Sequence, residues 1–215
     1  MTQSNQHVAL LGDSIFDNAS YTQGGLDVVA QLRSVLPAGR ATLLAVDGAV
    51  CDDVHSQLSR VPADATHLFL SAGGNDAIMA SSLLMQPVSV VGEGFYVVAE
   101  AANAFEMRHT RLLDACAAKK LPLVVGTIYN PRFSDPLNQA VSVAALCLFN
   151  DAIIRNAANR GLPILDLRRI CTEFGDYAND IEPSSQGALK IARTIHQILE
   201  AHDFSQPRPT IYPLP

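Results

Sequence analysis

Five short apolar runs, at residues 7–12, 41–46, 67–71, 121–129 and 162–167, are separated by stretches with helical spacing or turn chemistry. A strand with one wet face alternates polar and apolar residues, whereas continuous apolar runs of this length fit strands covered on both faces. Helices are expected at residues 25–36, 52–60, 95–118, 136–160 and from 183 to about 202. Pro37 is expected to stop the first, Pro136 introduces the fourth, and Gly161 follows its end in the position of a left-handed cap. Residues 77–94 read as a loop or broken helix because of Pro87, Gly92 and Gly94, and residues 168–181 as a polar connection.

Each crossover helix between parallel strands must pack back onto the sheet, so this alternation predicts an α/β fold. The expected form is a three-layer α/β/α sandwich with a five-stranded parallel sheet in flavodoxin-like order 2-1-3-4-5. A chain of 215 residues suits one domain, residues 1–203, and the Pro-rich remainder, 204–215, reads as an extended tail or arm.

In such sheets the ligand crevice lies beyond the carboxyl ends of the strands. Three sequence features fall on that edge: Gly12-Asp13-Ser14 after the first strand, Gly48 after the second, and Gly73-Gly74-Asn75-Asp76 after the third. Ser14, in a turn of small polar residues, is the candidate nucleophile. Asp13, Asp17 and Asp76 read as structural acceptors for nearby amides. Cys51 is close in sequence, but no neighbour there would lower its pKa.

This ordered set resembles the SGNH/GDSL hydrolase family, whose motifs are a GDS turn, a lone glycine after the second strand, a GxND turn after the third and a late DxxH segment. The likeness extends through Asn150, Asp166 and Pro183-Ser184-Ser185-Gln186-Gly187, nearly the whole chain. It implies a serine hydrolase acting on carboxylic esters through an acyl-Ser14 intermediate. The oxyanion donors would be the N–H groups of Ser14 and Gly48 and the side-chain amide of Asn75. The family's open, shallow sites imply a small acyl group, with Phe16, Ile78, Met79 and Tyr129 near enough in sequence to line an apolar pocket.

The chain departs from the family at the fourth motif. Where the family has Asp, two residues, then His-Pro-Ser, this sequence reads Asn179-Asp180-Ile181-Glu182-Pro183-Ser184. Glu182 then stands in the position of the base and Asn179 in that of its orienting aspartate. An unperturbed glutamate is about two pKa units less basic than imidazole, so serving as a base would require burial or repulsion from nearby Asp180. Two readings follow: a Ser14–Glu182 hydrolase assisted by Asp180, or a protein that binds an acyl or acetylated ligand without turnover, Glu182 only capping the last helix. None of the histidines is expected to substitute: His7 and His67 start strands, His196 and His202 lie far along the last helix, His109 shares an apolar face with Phe105 and Leu112, and His55 is a solvated helix residue.

A net charge of −6 without a dense basic run argues against nucleic acid or anionic membranes as partners. The polar start lacks a secretory pattern and no apolar run approaches a membrane span, so a cytoplasmic location is expected. Cys51, Cys116, Cys147 and Cys171 show no ligand spacing, and neither metal nor cofactor is expected. A small-molecule ester is the expected partner, and homo-oligomerisation is left open.

Overall fold

The axis of the sheet is Val8–Gly12 (β1), buried along its whole length. In the computed structural model, which describes residues 6–36 and 40–213, β1 pairs in parallel with Ala41–Leu43 (β2) on one side and His67–Ser71 (β3) on the other. Leu123–Gly126 (β4), Ile164–Leu165 (β5) and Ile211–Tyr212 (β6) continue the sheet, all parallel, in the order β2-β1-β3-β4-β5-β6. The helices are Val28–Val35 (α1), Val54–Leu58 (α2), Gly74–Ala80 (α3), Val91–Ala117 (α4), Pro136–Asn159 (α5), Leu167–Ile170 (α6) and Ser185–Ala201 (α7).

Side chains alternate across a strand, and here both sets are apolar. Val8 and Leu10 of β1 enter a core shared with α1, α6 and α7, while Ala9 and Leu11 enter a second core under α2, α4 and α5. Two apolar cores on opposite faces explain why the strands read as continuous apolar runs rather than alternating ones.

The α/β sandwich and the order of the first five strands are as the sequence implied, but the sheet has six strands. The sixth comes from the segment expected to be a tail: Ile164 N–H donates to the Thr210 carbonyl at 2.8 Å and Asp166 N–H to the Tyr212 carbonyl at 3.0 Å. Two residues bounded by prolines gave too short a signal to be read as a strand. Pro37, expected to stop the first helix, lies outside the described residues. Residues 77–94 resolve into the end of α3, a 3-10 turn at Ser81–Met85, and the start of α4, which begins at Val91 despite Gly92 and Gly94. The Glu93 carboxylate accepts the Ser89 N–H at 2.8 Å and closes that first turn. Against the expectation that no run approaches a membrane span, α5 has the length and apolarity of one. It packs beside α4 as a layer of the sandwich.

Two buried amides fix the strand ends. Gln57 Oε1 accepts the Gly12 N–H at 2.7 Å and its Nε2 donates to the Gly12 carbonyl at 2.8 Å. Asn150 pins Ile128 in the same way, both bonds at 2.8 Å. Gly12 must be glycine, because at its φ of 122° a Cβ would sit 1.6 Å from the Ser71 carbonyl oxygen. Gln57→Leu keeps the volume but strands the buried Gly12 N–H, while the Gly12 carbonyl keeps the Val46 N–H at 3.0 Å. The substitution is expected to lower the unfolding free energy by about 1–3 kcal/mol in urea denaturation.

Candidate active site

The turn after β1 is built by Asp13. Its carbonyl accepts the N–H groups of Phe16 and Asp17, both at 3.1 Å. Its Oδ1 accepts Ile15 N–H at 3.2 Å and the Ser71 hydroxyl at 3.0 Å. The turn presents Ser14, whose Oγ donates to Glu182 Oε1 at 3.1 Å across 168 positions of chain, with both residues buried.

Glu182 is delivered by a tight loop. Asn179 Oδ1 accepts the N–H groups of Ile181 and Glu182, both at 2.9 Å, and Ala178 N–H donates to the Glu182 carbonyl at 2.8 Å. The Tyr129 hydroxyl donates to the Ile181 carbonyl, and Asn18 Nδ2 to the Pro183 carbonyl at 3.1 Å. Asn18 Oδ1 also accepts the Val28 N–H at 2.9 Å, so one fully buried amide ties the Ser14 turn, the Glu182 loop and the start of α1 together. Asn18 and Tyr129 were not assigned this bracing role from sequence; an Asn four residues after a candidate nucleophile was the only hint.

Asp180 is not brought to the site. The turn capped by Asn179 leaves it exposed, its carbonyl accepting the Arg132 N–H at 2.8 Å. The like charge that bears on Glu182 is Asp47. Nor does Glu182 cap the last helix: Ser184 does, its Oγ accepting the N–H groups of Gln186 and Gly187 at 3.1 and 3.2 Å. Glu182 Oε1 is therefore turned to Ser14, while Oε2 is buried with no hydrogen-bond partner among the described residues.

Gly48 occupies the third position of a turn closed by Ala49 N–H on the Val46 carbonyl at 3.1 Å, and its φ of 80° is the left-handed value such a turn demands. Asp17 reaches across to this loop rather than to its own turn, its Oδ2 accepting the Asp47 N–H at 3.0 Å. Asn75 donates one amide hydrogen to the Ala49 carbonyl at 3.0 Å, leaving the other to donate. Among the described residues, neither the Ser14 nor the Gly48 N–H has a protein acceptor. Asp76 is structural as expected, accepting Cys51 N–H at 3.0 Å and Arg108 Nε at 3.2 Å. Burial pushes the Cys51 thiol far up, with Asp76 adding to it.

Ser14, Asn75 and Glu182 line one cavity, which runs under the 3-10 turn and between α4 and α5. Its walls are mostly apolar, with Ile78, Leu83, Leu84, Val98, Leu146 and Phe149 among them. Of the residues expected near a pocket, Ile78 and Tyr129 line it, Phe16 is buried in the core on the α1 side and Met79 is exposed. His109 is buried against Phe105 and Asn156, away from Ser14, and burial lowers its pKa to about 4. Among the described residues no group of His, Cys, Asp or Glu could hold a metal ion.

A model of the GDSL-like lipase/acylhydrolase family matches residues 10–190, which takes in every residue discussed above. The chain belongs to the GDSL-like lipase/acylhydrolase family. It shares its fold with an extracellular lipase from Streptomyces rimosus, at 18% identity and a TM-score of 0.65 over 88% of this chain and 99% of that one. Phospholipase A1 from Streptomyces albidoflavus NA297 is similar at 17% identity and a TM-score of 0.66, over 88% and 98% of the two chains. A GDSL-like lipase from Bacteroides thetaiotaomicron VPI-5482 matches at 11% identity and a TM-score of 0.63, over 93% and 92%. No curated protein matches by sequence.

The two carboxyls of this GDSL-family site are abnormally weak acids. Burial raises Glu182 to about 7, helped by Asp47 and opposed by the Ser14 hydrogen bond. Burial likewise raises Asp13 to about 7, opposed by the Ile15 N–H and the Ser71 hydroxyl and helped by the charge of Glu182. A carboxyl whose folded pKa exceeds its unfolded value adds stability below the unfolded pKa that is lost as pH rises through the folded one. Glu182→Gln removes that loss at one site. Its melting temperature relative to the parent is expected to rise as pH goes from about 5 to about 8, by a few degrees in calorimetry.

Proposed function

We propose that this member of the family is a serine esterase or acylhydrolase in which Glu182 takes the place of the family histidine as general base. The observation that carries the reading is the bond from Ser14 Oγ to Glu182 Oε1, made to a carboxyl that burial holds near pKa 7. A base is most effective when its pKa lies near the working pH, and burial moves this glutamate from the usual carboxylate range into the range of an imidazole. In the proposed reaction Ser14 Oγ attacks the ester carbonyl carbon while its proton passes to Glu182. The tetrahedral oxyanion is received by the N–H groups of Ser14 and Gly48 and the second amide hydrogen of Asn75. Glu182 then returns the proton to the leaving alkoxide, takes another from the water that attacks the acyl carbon, and passes it to Ser14 Oγ as the acyl–Ser14 bond breaks.

The cavity supports an apolar, extended acyl chain rather than the small group the family's shallow sites suggested. Its lining beyond Ser14 offers aliphatic and aromatic walls and few groups that could pair with a polar chain. The expected optimum in a p-nitrophenyl ester series therefore lies at octanoate or decanoate and not at acetate.

A fluorophosphonate probe is expected to label the parent and not Ser14→Ala. Labelling and kcat/KM should both rise with pH and level off above about 7, as Glu182 loses its proton. Glu182→Gln should lower kcat by about 10²–10⁴, and Asn75→Ala by about 10²–10³. A parent that neither labels nor hydrolyses any ester, but gains hydrolysis in Glu182→His, would replace this reading with ligand binding without turnover.

A further inference from the structure

The cavity that holds Ser14 adjoins a second groove nearer the surface. Leu83, Leu84, Val98 and Ala145 line both it and a second groove, whose outer walls include Val88, Val91, Phe95 and Leu148. Apolar side chains thus continue from the walls of the Ser14 cavity to the surface between the 3-10 turn, α4 and α5.

The surface around these walls is poor in charge and carries several exposed apolar side chains. Residues 77–99 carry one charged side chain, Glu93, and residues 136–150 carry none. Met79 is 74% exposed, Met85 86%, Val91 74%, Phe95 67% and Leu137 73%. Apart from Glu93 and Glu100, the charged residues of α4 and α5 lie in their later turns, where Arg155 pairs with Glu106 at 2.5 Å and Arg160, just past α5, with Asp114 at 2.6 Å. These cross-links join late turns to late turns, so the two helices run side by side in the same direction. Their beginnings, which carry Glu93 and no other charge before Glu100, lie together.

We propose that this face docks on the surface of an uncharged or zwitterionic lipid aggregate, and that acyl chains pass from that surface along the groove to Ser14. The proposal rests on the acyl-ester reading of the Ser14 site. Exposed apolar area on adjoining elements marks an interaction surface, and the groove within it adjoins a site for apolar chains. A second copy of the chain seated there would cover the groove. The face offers no Lys or Arg to attract anionic headgroups and the net charge is −6, so its attraction is to neutral lipid.

The test is flotation of full-length Ser14→Ala with phosphatidylcholine vesicles and with a triolein emulsion, at low and high salt. Co-flotation insensitive to salt is expected. Met85→Glu/Leu137→Glu on that background should reduce the floated fraction by about tenfold, with Met79→Glu as an independent variant should the pair fail to fold. In the Ser14 parent the same substitutions should leave kcat/KM on soluble p-nitrophenyl butyrate within about twofold. Absence of co-flotation, co-flotation unaffected by the glutamates, or a dimer that the glutamates dissociate would each overturn the proposal. Co-flotation by a protein that hydrolyses no ester would support the docking surface and overturn the esterase reading alone.

Discussion

The hydrogen bond from Ser14 to Glu182 joins the first strand's end to the entrance of the last helix, and much of the surrounding structure serves to hold it. A carboxylate placed away from water loses hydration that one hydroxyl cannot replace. Glu182 compounds this, since its second oxygen has no partner among the described residues. The loop that carries it is braced from several directions: Asn179 from within, Tyr129 from just past the fourth strand, and Asn18 from the Ser14 turn. Without such bracing the loop would relax toward solvent and the carboxyl would recover both its water and its ordinary acidity.

A second level of restraint lies behind the first. Gln57 and Asn150 each grip one residue's backbone N–H and C=O at the carboxyl edge, where a parallel ladder runs out of partners. They let the chain leave the sheet without abandoning buried polar groups. The loops bearing Ser14, Gly48 and Asn75 are then cross-tied by Asp17 to the Asp47 N–H and by Asn75 to the Ala49 carbonyl. Three loops that start on three strands behave as one surface because their connections are backbone-to-side-chain bonds rather than apolar contacts alone.

Strands buried on both faces announce themselves by unbroken apolar runs, and the turn residues after them are small and polar, so the sheet and the positions of Ser14, Gly48 and Asn75 were legible in the sequence. Features that depend on contacts between distant residues were not. Asp180 is two residues from Glu182 in sequence, but the turn at Asn179 sends it to solvent, and Asp47 from another loop bears on Glu182 instead. The depth of the cavity was equally hidden, because it arises from how α4 and α5 lie against the 3-10 turn and not from any motif. Ser184, not Glu182, caps the last helix, a choice between neighbouring acceptors that only backbone geometry decides.

The last strand bears on solubility. It closes one side of the sheet with only Ile211 and Tyr212, between Pro209 and Pro213, and it is itself the outermost strand. Proline has no N–H to give to a further strand, and two residues make too short a template for another chain to extend. A parallel sheet whose central strands are apolar on both faces would otherwise show that edge to every other copy in solution. Pro209 and Pro213 thus blunt this edge of the sheet against pairing with a further strand.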